Sequence, residues 1–213
     1  PLLCGGTGLW YRALVRGIFE APPIDPEVRA KVLTELADRG SEAMHAELAK
    51  IDPDAAARIA PGDPQRIGRA LEVFRQTGTP ISALQRAHGF AQERYRTLAF
   101  ALSWPREAQW ARIEARTAEM YARGLLDEVS TQLAQGVPPD APGLKIIGYR
   151  DAVRVVRGEI DVEAAREATV IATRQFAKRQ RNWFNQEPGV TWIPADTPAS
   201  ELVERLRRVE AAV

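Results

Sequence analysis

The sequence predicts an α/β protein: part of a parallel-sheet core surrounded by helices, carrying an all-helical insertion. Three patterns predict it. The chain opens with Leu2-Leu3-Cys4, then Gly5-Gly6-Thr7-Gly8, then helical apolar spacing from Leu9 to Phe19, the strand–turn–helix order of an α/β unit. Three Asp-Pro steps follow, at Asp25-Pro26, Asp52-Pro53 and Asp63-Pro64, in a stretch that shows only helical spacing. Two later apolar runs, Leu98–Leu102 and Val190–Ile193, bracket a series of amphipathic helices. With 213 residues, 45% of them apolar, the chain suits one domain or a domain with a modest insertion.

Each element has a local reason. Leu2-Leu3-Cys4 reads as a short buried strand, and the glycines as the turn that ends it. In each Asp-Pro step the carboxylate can cap free N–H groups, while proline takes the first helical position, where it loses no hydrogen bond. Helices are expected over about Pro26 to Arg39, Glu42 to Ala49, Pro53 to Ile59, Pro64 to Thr77 and Pro80 to Ala87. Residues 25–92 are thus read as the helical insertion, and residues 1–24 with 93–213 as an incomplete core. Leu98–Leu102, ahead of Trp104-Pro105, has the pattern of a strand covered on both faces. Helices are expected next over about Glu107 to Arg123, Leu126 to Gln135, Ile146 to Arg157 and Val162 to Asn185. A strand at Val190–Ile193 and a helix from Ala199 to Ala212 close the chain. Two or three strands make a thin sheet for a self-sufficient α/β core.

Charge is nearly balanced, 29 basic against 28 acidic residues, so net charge alone announces no polyanionic partner. Arginine supplies nearly all the positive charge, with lysine only at Lys31, Lys50, Lys145 and Lys178. Its planar fork suits phosphate and base recognition, and a GC-rich genome gives the same bias. Cys4 is the single cysteine, which excludes an internal disulfide, and no Cys/His cluster has metal-ligand spacing. The sequence shows no signal peptide or membrane-length apolar segment, and the expected setting is reducing and cytoplasmic.

Five stretches are candidates for chemistry. GGTG lets a backbone approach a ligand closely, with helix-start N–H groups that favour anions, or it serves only as a turn. It is not a P-loop, because no Gly-Lys pair occurs anywhere. In DPQRIGRALEVF, Ile67, Ala70, Leu71 and Phe74 face a core, leaving Gln65, Arg66 and Arg69 as a solvated or RNA-facing row. Arg112 and Arg116 lie one turn apart, opposite the stripe Trp110, Ile113, Thr117, Met120 and Tyr121, with Glu119 and Arg123 continuing their row. A surface ion-pair ladder and a diphosphate clamp need the same spacing, so periodicity leaves both open. Lys145, Gly148, Tyr149 and Arg150 sit at a helix start, a setting for base stacking or phosphate binding, or for a packed aromatic. In TRQFAKRQRNWF, Arg174, Lys178 and Arg181 oppose Phe176, Ala177, Trp183 and Phe184; with Arg179 they make a basic helix of the kind that faces nucleic acid. His45 and His88 stand alone, in a helix and a loop, and read as surface or capping residues.

In combination and in order, PLLCGGTGLWYRAL, DPEVRA, DPQRIGRALEVF with TGTPIS, RIEARTAEMYARGLLDEV, LKIIGYRDA and ATRQFAKRQRNWF resemble the tRNA dimethylallyltransferases. The resemblance runs almost continuously from Pro1 to about Trp192, and departs at Trp10, where the family usually has tyrosine. It implies a P-loop-type core and transfer of a dimethylallyl (isopentenyl) group from dimethylallyl diphosphate to N6 of the adenosine at position 37, next to the anticodon, with release of diphosphate. The target base would be flipped into a channel. The resemblance also implies that GGTG lies inside a longer chain, behind a segment with the P-loop, its Mg²⁺ and an aspartate general base. Neither of these motifs is in this sequence, which is therefore expected to be a C-terminal fragment, inactive by itself and poorly soluble or molten.

By position, the resemblance puts Thr7 at the channel mouth, in contact with RNA. Arg29 and the run Gln65, Arg66 and Arg69 would meet the anticodon stem-loop from the insertion. Lys145, Gly148, Tyr149, Arg150, Arg174, Lys178, Arg179 and Arg181 would line the RNA side of the core, and Arg112 or Arg116 would hold the departing diphosphate. The implied partners are a tRNA anticodon stem-loop and dimethylallyl diphosphate, with no membrane and a monomer on the RNA. Two rivals remain: an adenylate isopentenyltransferase, which the extended basic surface disfavours, and a catalytically inactive tRNA-binding remnant.

Overall fold

Residues 2–19, 23–89 and 94–211 are described by the computed structural model. The expectations at Pro1, at the 92/93 boundary and at the end of the last helix, Ala212, fall outside them. The fold is α/β, with two compact units: Leu9–Arg96, and Pro1–Gly8 together with Thr97–Val213. Helix α1 (Gly8–Arg16) falls almost wholly in the first of these, whereas the sequence reading put residues 1–24 with the core.

The helical unit is built on α2 (Pro26–Ile51), α3 (Pro53–Ala56), α4 (Pro64–Thr77) and α5 (Ile81–His88). All three Asp-Pro steps cap as expected: Asp25 accepts from Glu27 N (2.8 Å), Asp52 from Ala55 N (2.9 Å) and Asp63 from Arg66 N (3.0 Å). Helix α2 is two arms joined at Gly40, whose φ of 77° and ψ of 163° break the ladder in a region open to glycine. The break lets Val32 on one arm and Met44 and Leu48 on the other close over Ile67, Leu71 and Val73 of α4. Arg75 of α4 is clamped between Glu35 and Glu47 (2.7 and 2.9 Å), and Arg39 reaches the same two carboxylates (3.2 and 2.7 Å). His45 Nε2 lies 3.0 Å from Ala56 O and 2.9 Å from Ile59 O, a cap on the carbonyl end of α3. His88 ends α5 and is not in a loop.

The second unit holds a two-stranded parallel sheet. β1 (Ala99–Ser103) pairs with β2 (Val190–Pro194) from Ala99↔Val190 to Ser103↔Pro194. Between them run α6 (Arg106–Ala122), α7 (Leu125–Ala134), α8 (Tyr149–Val156) and α9 (Val162–Asn185), and α10 (Ala199–Ala211) follows β2. Leu125, Val129, Leu144, Ala152 and Val153 form the core under α7 and α8. Asp161 caps α9 through Ala164 N (2.7 Å), a helix start the sequence reading placed without naming its cap.

Two expectations fail here for one physical reason. Leu2-Leu3-Cys4 is not a buried strand: Leu2 and Leu3 are 88% and 70% exposed, and the segment has no ladder partner among the described residues. Nor is Leu98–Leu102 covered on both faces, since Leu98 and Leu102 are exposed. An apolar run becomes an inner strand only where neighbours satisfy its backbone and cover its side chains. Helix α8 also starts three residues later than expected, because Pro142–Lys145 forms a separate 3-10 turn.

Acid should loosen the helical unit first. The Arg75 hydrogen bond holds the Glu35 carboxyl below its ordinary value. Burial alone would raise Glu47 and Asp52, but the Arg39 and Arg75 bonds outweigh it at Glu47, and the Ser82 and Ala55 bonds do so at Asp52. Folded values below the unfolded ones mean stabilisation that is full above the unfolded carboxylate pKa of about 4 and lost as pH falls through the lowered folded values. Urea melts at pH 7 and pH 3 should show a clear loss of stability at pH 3, and a smaller loss in Arg75→Met. Asp52→Ala strands the Ala55 and Ser82 amides and should cost about 1–3 kcal/mol at pH 7.

Candidate functional site

In the sheet-bearing unit the GGTG turn is seated against the C-terminal half of α9. Gln180 Nε2 donates to Gly6 O at 2.9 Å. A Cβ on Gly8 would fall 2.1 Å from the Trp183 indole, and one on Gly6 would fall 2.1 Å from Gln180 Nε2. Neither glycine has a left-handed φ, so what they supply is close approach and not an unusual turn. Gly5 has nothing within 4 Å of its Cβ position. Thr7 is held between the two anchored glycines with its own side chain exposed.

The basic residues of α9 divide by role. Lys178, Arg179 and Arg181 are exposed; Arg179 lies 5.8 Å over the Phe176 ring and Arg181 6.0 Å over Trp192. Arg179 and Phe176 sit one turn before Trp183 and Gln180, so the basic face borders the turn-holding face. Phe176 is itself exposed. Arg174 is committed to α6: it pairs with Glu114 and lies 4.5 Å over Trp110, whose ring also carries Arg106 at 4.2 Å.

On α6, Arg112 and Arg116 are exposed, opposite the buried Thr117, as the apolar stripe requires. The ladder forms only at Glu119–Arg123 (3.3 Å). Arg112 lies 4.5 Å over the Trp104 ring, and Arg116 has no ion-pair partner among the described residues. Around α8, Gly148 is buried with φ 91°, its Cβ position 3.4 Å from Met120 Cε. Tyr149 packs beside the Leu125–Val129 core and its hydroxyl donates to Glu128 at 2.7 Å. That bond, with burial, pushes its pKa up and keeps the phenol protonated. Lys145 and Arg150 point outward, Arg150 against the buried Asp151 at 3.5 Å.

In the helical unit Gln65 and Arg66 are exposed, and Arg66 pairs with Asp63 (3.4 Å). Arg29 and Arg69 meet on one residue the sequence reading passed over, Glu72, at 3.4 and 3.5 Å. No group of three or more His, Cys, Asp or Glu that could hold a metal ion occurs among the described residues. No described helix is long and apolar enough to cross a membrane.

A family model described as IPP transferase matches residues 1–187, taking in the GGTG turn, both basic rows and all of α9. The chain belongs to that family. It is 45% identical over 193 residues to tRNA dimethylallyltransferase 1 of Trichlorobacter lovleyi, a match covering 91% of this chain and 63% of that protein. The crystal structure of tRNA delta(2)-isopentenylpyrophosphate transferase from Staphylococcus epidermidis is 30% identical, with a TM-score of 0.57 over 97% of this chain and 68% of that one. A eukaryotic dimethylallyltransferase acting on tRNA shares the fold at a TM-score of 0.76 and 23% identity, over 98% of this chain and 56% of that one. The chain spans 63% of the length of such curated bacterial relatives.

Within this chain, the structure brings Thr7 to the α9 face and joins Arg29 to Arg69 through Glu72, while turning Arg174 and Tyr149 to partners of their own. Gln180 and Glu72 carry no signal in the sequence, and Trp183 reads there only as one of the α9 aromatics, because each matters through a contact with a distant segment. Gly8→Ala should displace Trp183 and cost about 1–3 kcal/mol in a urea melt, the scale of overpacking, while Gly5→Ala changes stability by less than about 1 kcal/mol.

Proposed function

We propose that this chain supplies the RNA-binding surface and part of the reaction channel of a tRNA dimethylallyltransferase. The reaction is transfer of a dimethylallyl group from dimethylallyl diphosphate to N6 of adenosine 37, beside the anticodon, with release of diphosphate. The observation that carries the reading is Thr7, exposed between two glycines pinned to α9 and bordered by that helix's basic face. A backbone held this way costs no reorganisation when a base is presented to it.

A base inside a stacked loop cannot offer its exocyclic amine to an allylic carbon, so the adenine must leave the stack. Lys178, Arg179 and Arg181 then hold the displaced backbone by charge, with Phe176 as an exposed ring for stacking. The N6 lone pair forms the new bond to the allylic carbon. The bond from that carbon to the diphosphate oxygen breaks with its electron pair, and the proton lost from N6 passes to a base outside the described residues. Arg112 or Arg116 meets charge growing on the diphosphate; Arg116, without an ion-pair partner among the described residues, is the less engaged of the two, since Arg112 lies over Trp104. The protein is proposed to work as a cytoplasmic monomer on RNA.

Labelled dimethylallyl diphosphate, incubated with the protein expressed from its complete reading frame, should label an adenosine-containing anticodon stem-loop and leave AMP unlabelled. Thr7→Ala should lower kcat/KM for the stem-loop by about tenfold or more, the scale of one lost positioning contact. Efficient labelling of AMP would instead identify an adenylate transferase, and tight stem-loop binding with no transfer would identify an inactive RNA-binding remnant.

A further inference from the structure

We propose that Glu72 is a positioning residue that binds Arg29 and Arg69 into a single clamp for one backbone phosphate of the RNA; this rests on the RNA-acceptor reading above. Glu72 lies mid-way along α4, among Leu71, Val73 and Ala70, at a position whose neighbours are core. Its side chain is 8% exposed, yet it is an acid with no backbone to cap. A buried carboxylate is costly unless paired. Here the pairing comes from two different helices, Arg29 Nε of α2 on one oxygen (3.4 Å) and Arg69 Nη1 of α4 on the other (3.5 Å).

The two arginines are not consumed by this. Their side chains remain 57% and 42% exposed, so each guanidinium keeps donor capacity in contact with solvent beyond its ion pair with Glu72. Two positive charges pair with one negative charge, so the group keeps a net positive charge and more N–H donors than one carboxylate can accept. A phosphate oxygen is the anion that completes it, because charge-assisted bonds from two forks suit its several acceptors. Holding both forks by one buried anion removes rotamer entropy before the RNA arrives. The frame beside them is tied: Asp25 N donates to Gln76 Oε1 (3.2 Å) and Arg75 is clamped by Glu35 and Glu47, so α4 is fastened to α2 and its cap within one turn of Glu72. Arg66 stands apart on its own Asp63.

The charge arithmetic makes the test unusual in sign. Glu72→Gln removes a negative charge from a surface that binds RNA, so simple electrostatics predicts tighter binding. Positioning predicts the reverse. Binding of an anticodon stem-loop RNA is measured over a range of salt for the wild-type protein, Glu72→Gln, Arg29→Ala, Arg69→Ala and the double Arg variant, with a thermal melt of each. The expected result is that Glu72→Gln, melting as a folded protein, binds about tenfold more weakly and with a salt slope lower by about one phosphate. The two arginine substitutions should cost less together than the sum of each alone, since either one dismantles the clamp. That cycle stands even if Glu72→Gln does not fold. Unchanged or tighter binding by Glu72→Gln, or additive arginine losses, would overturn the clamp and leave the RNA reading intact. No binding by the wild-type protein would overturn both.

Discussion

One close approach organises the sheet-bearing unit: the glycine turn lying on α9. Without side chains at Gly6 and Gly8, the backbone comes within hydrogen-bond distance of Gln180 and van der Waals contact of Trp183. The same helix carries α6 along one side, through Arg174, Trp110 and the Tyr121–Thr169 hydroxyl contact, and α8 along another. It also leads directly into β2, whose parallel pairing with β1 fixes where the helix ends. Position at the candidate site is therefore set by packing along one 24-residue helix and by very little sheet.

The arginine-rich composition takes on a definite meaning against that frame. Some guanidinium groups are internal fittings: Arg75 is held between two carboxylates, and Arg174 between Glu114 and a tryptophan. Other basic groups are left outward, such as Lys178, Arg179 and Arg181 on α9 and the arginine pair on Glu72. A near-neutral chain can thus present a basic face where the acidic partner is buried behind its arginines, as Glu72 is behind Arg29 and Arg69, while exposed pairs such as Glu119–Arg123 stand elsewhere.

Local chemistry made much of this fold legible. Asp-Pro caps put α4 at Pro64–Thr77 with the bounds the sequence implied, and apolar spacing did the same for α9 at Val162–Asn185. Gly40 was read as the gap between two helices and is the break between two arms of one. Leu2–Cys4 misled because an apolar tripeptide says nothing about whether a partner strand lies beside it. The Trp110 sandwich, the Gln180 bond and the burial of Glu72 were invisible for a related reason: each joins residues far apart in sequence, and helical periodicity reports only which face of a helix is apolar. Arg174 shows the limit well, since its wheel position looks solvent-facing until α6 is packed beside it.

The central claim is that the glycine turn and the basic face of α9 act as one RNA-binding surface. Hydrogen exchange of the complete protein, with and without an anticodon stem-loop RNA, tests it most directly. The account predicts that RNA slows exchange at Gly6–Leu9 together with the segment carrying Lys178, Arg179 and Arg181. Slowing confined to α9, with the turn unchanged at saturating RNA, would contradict it.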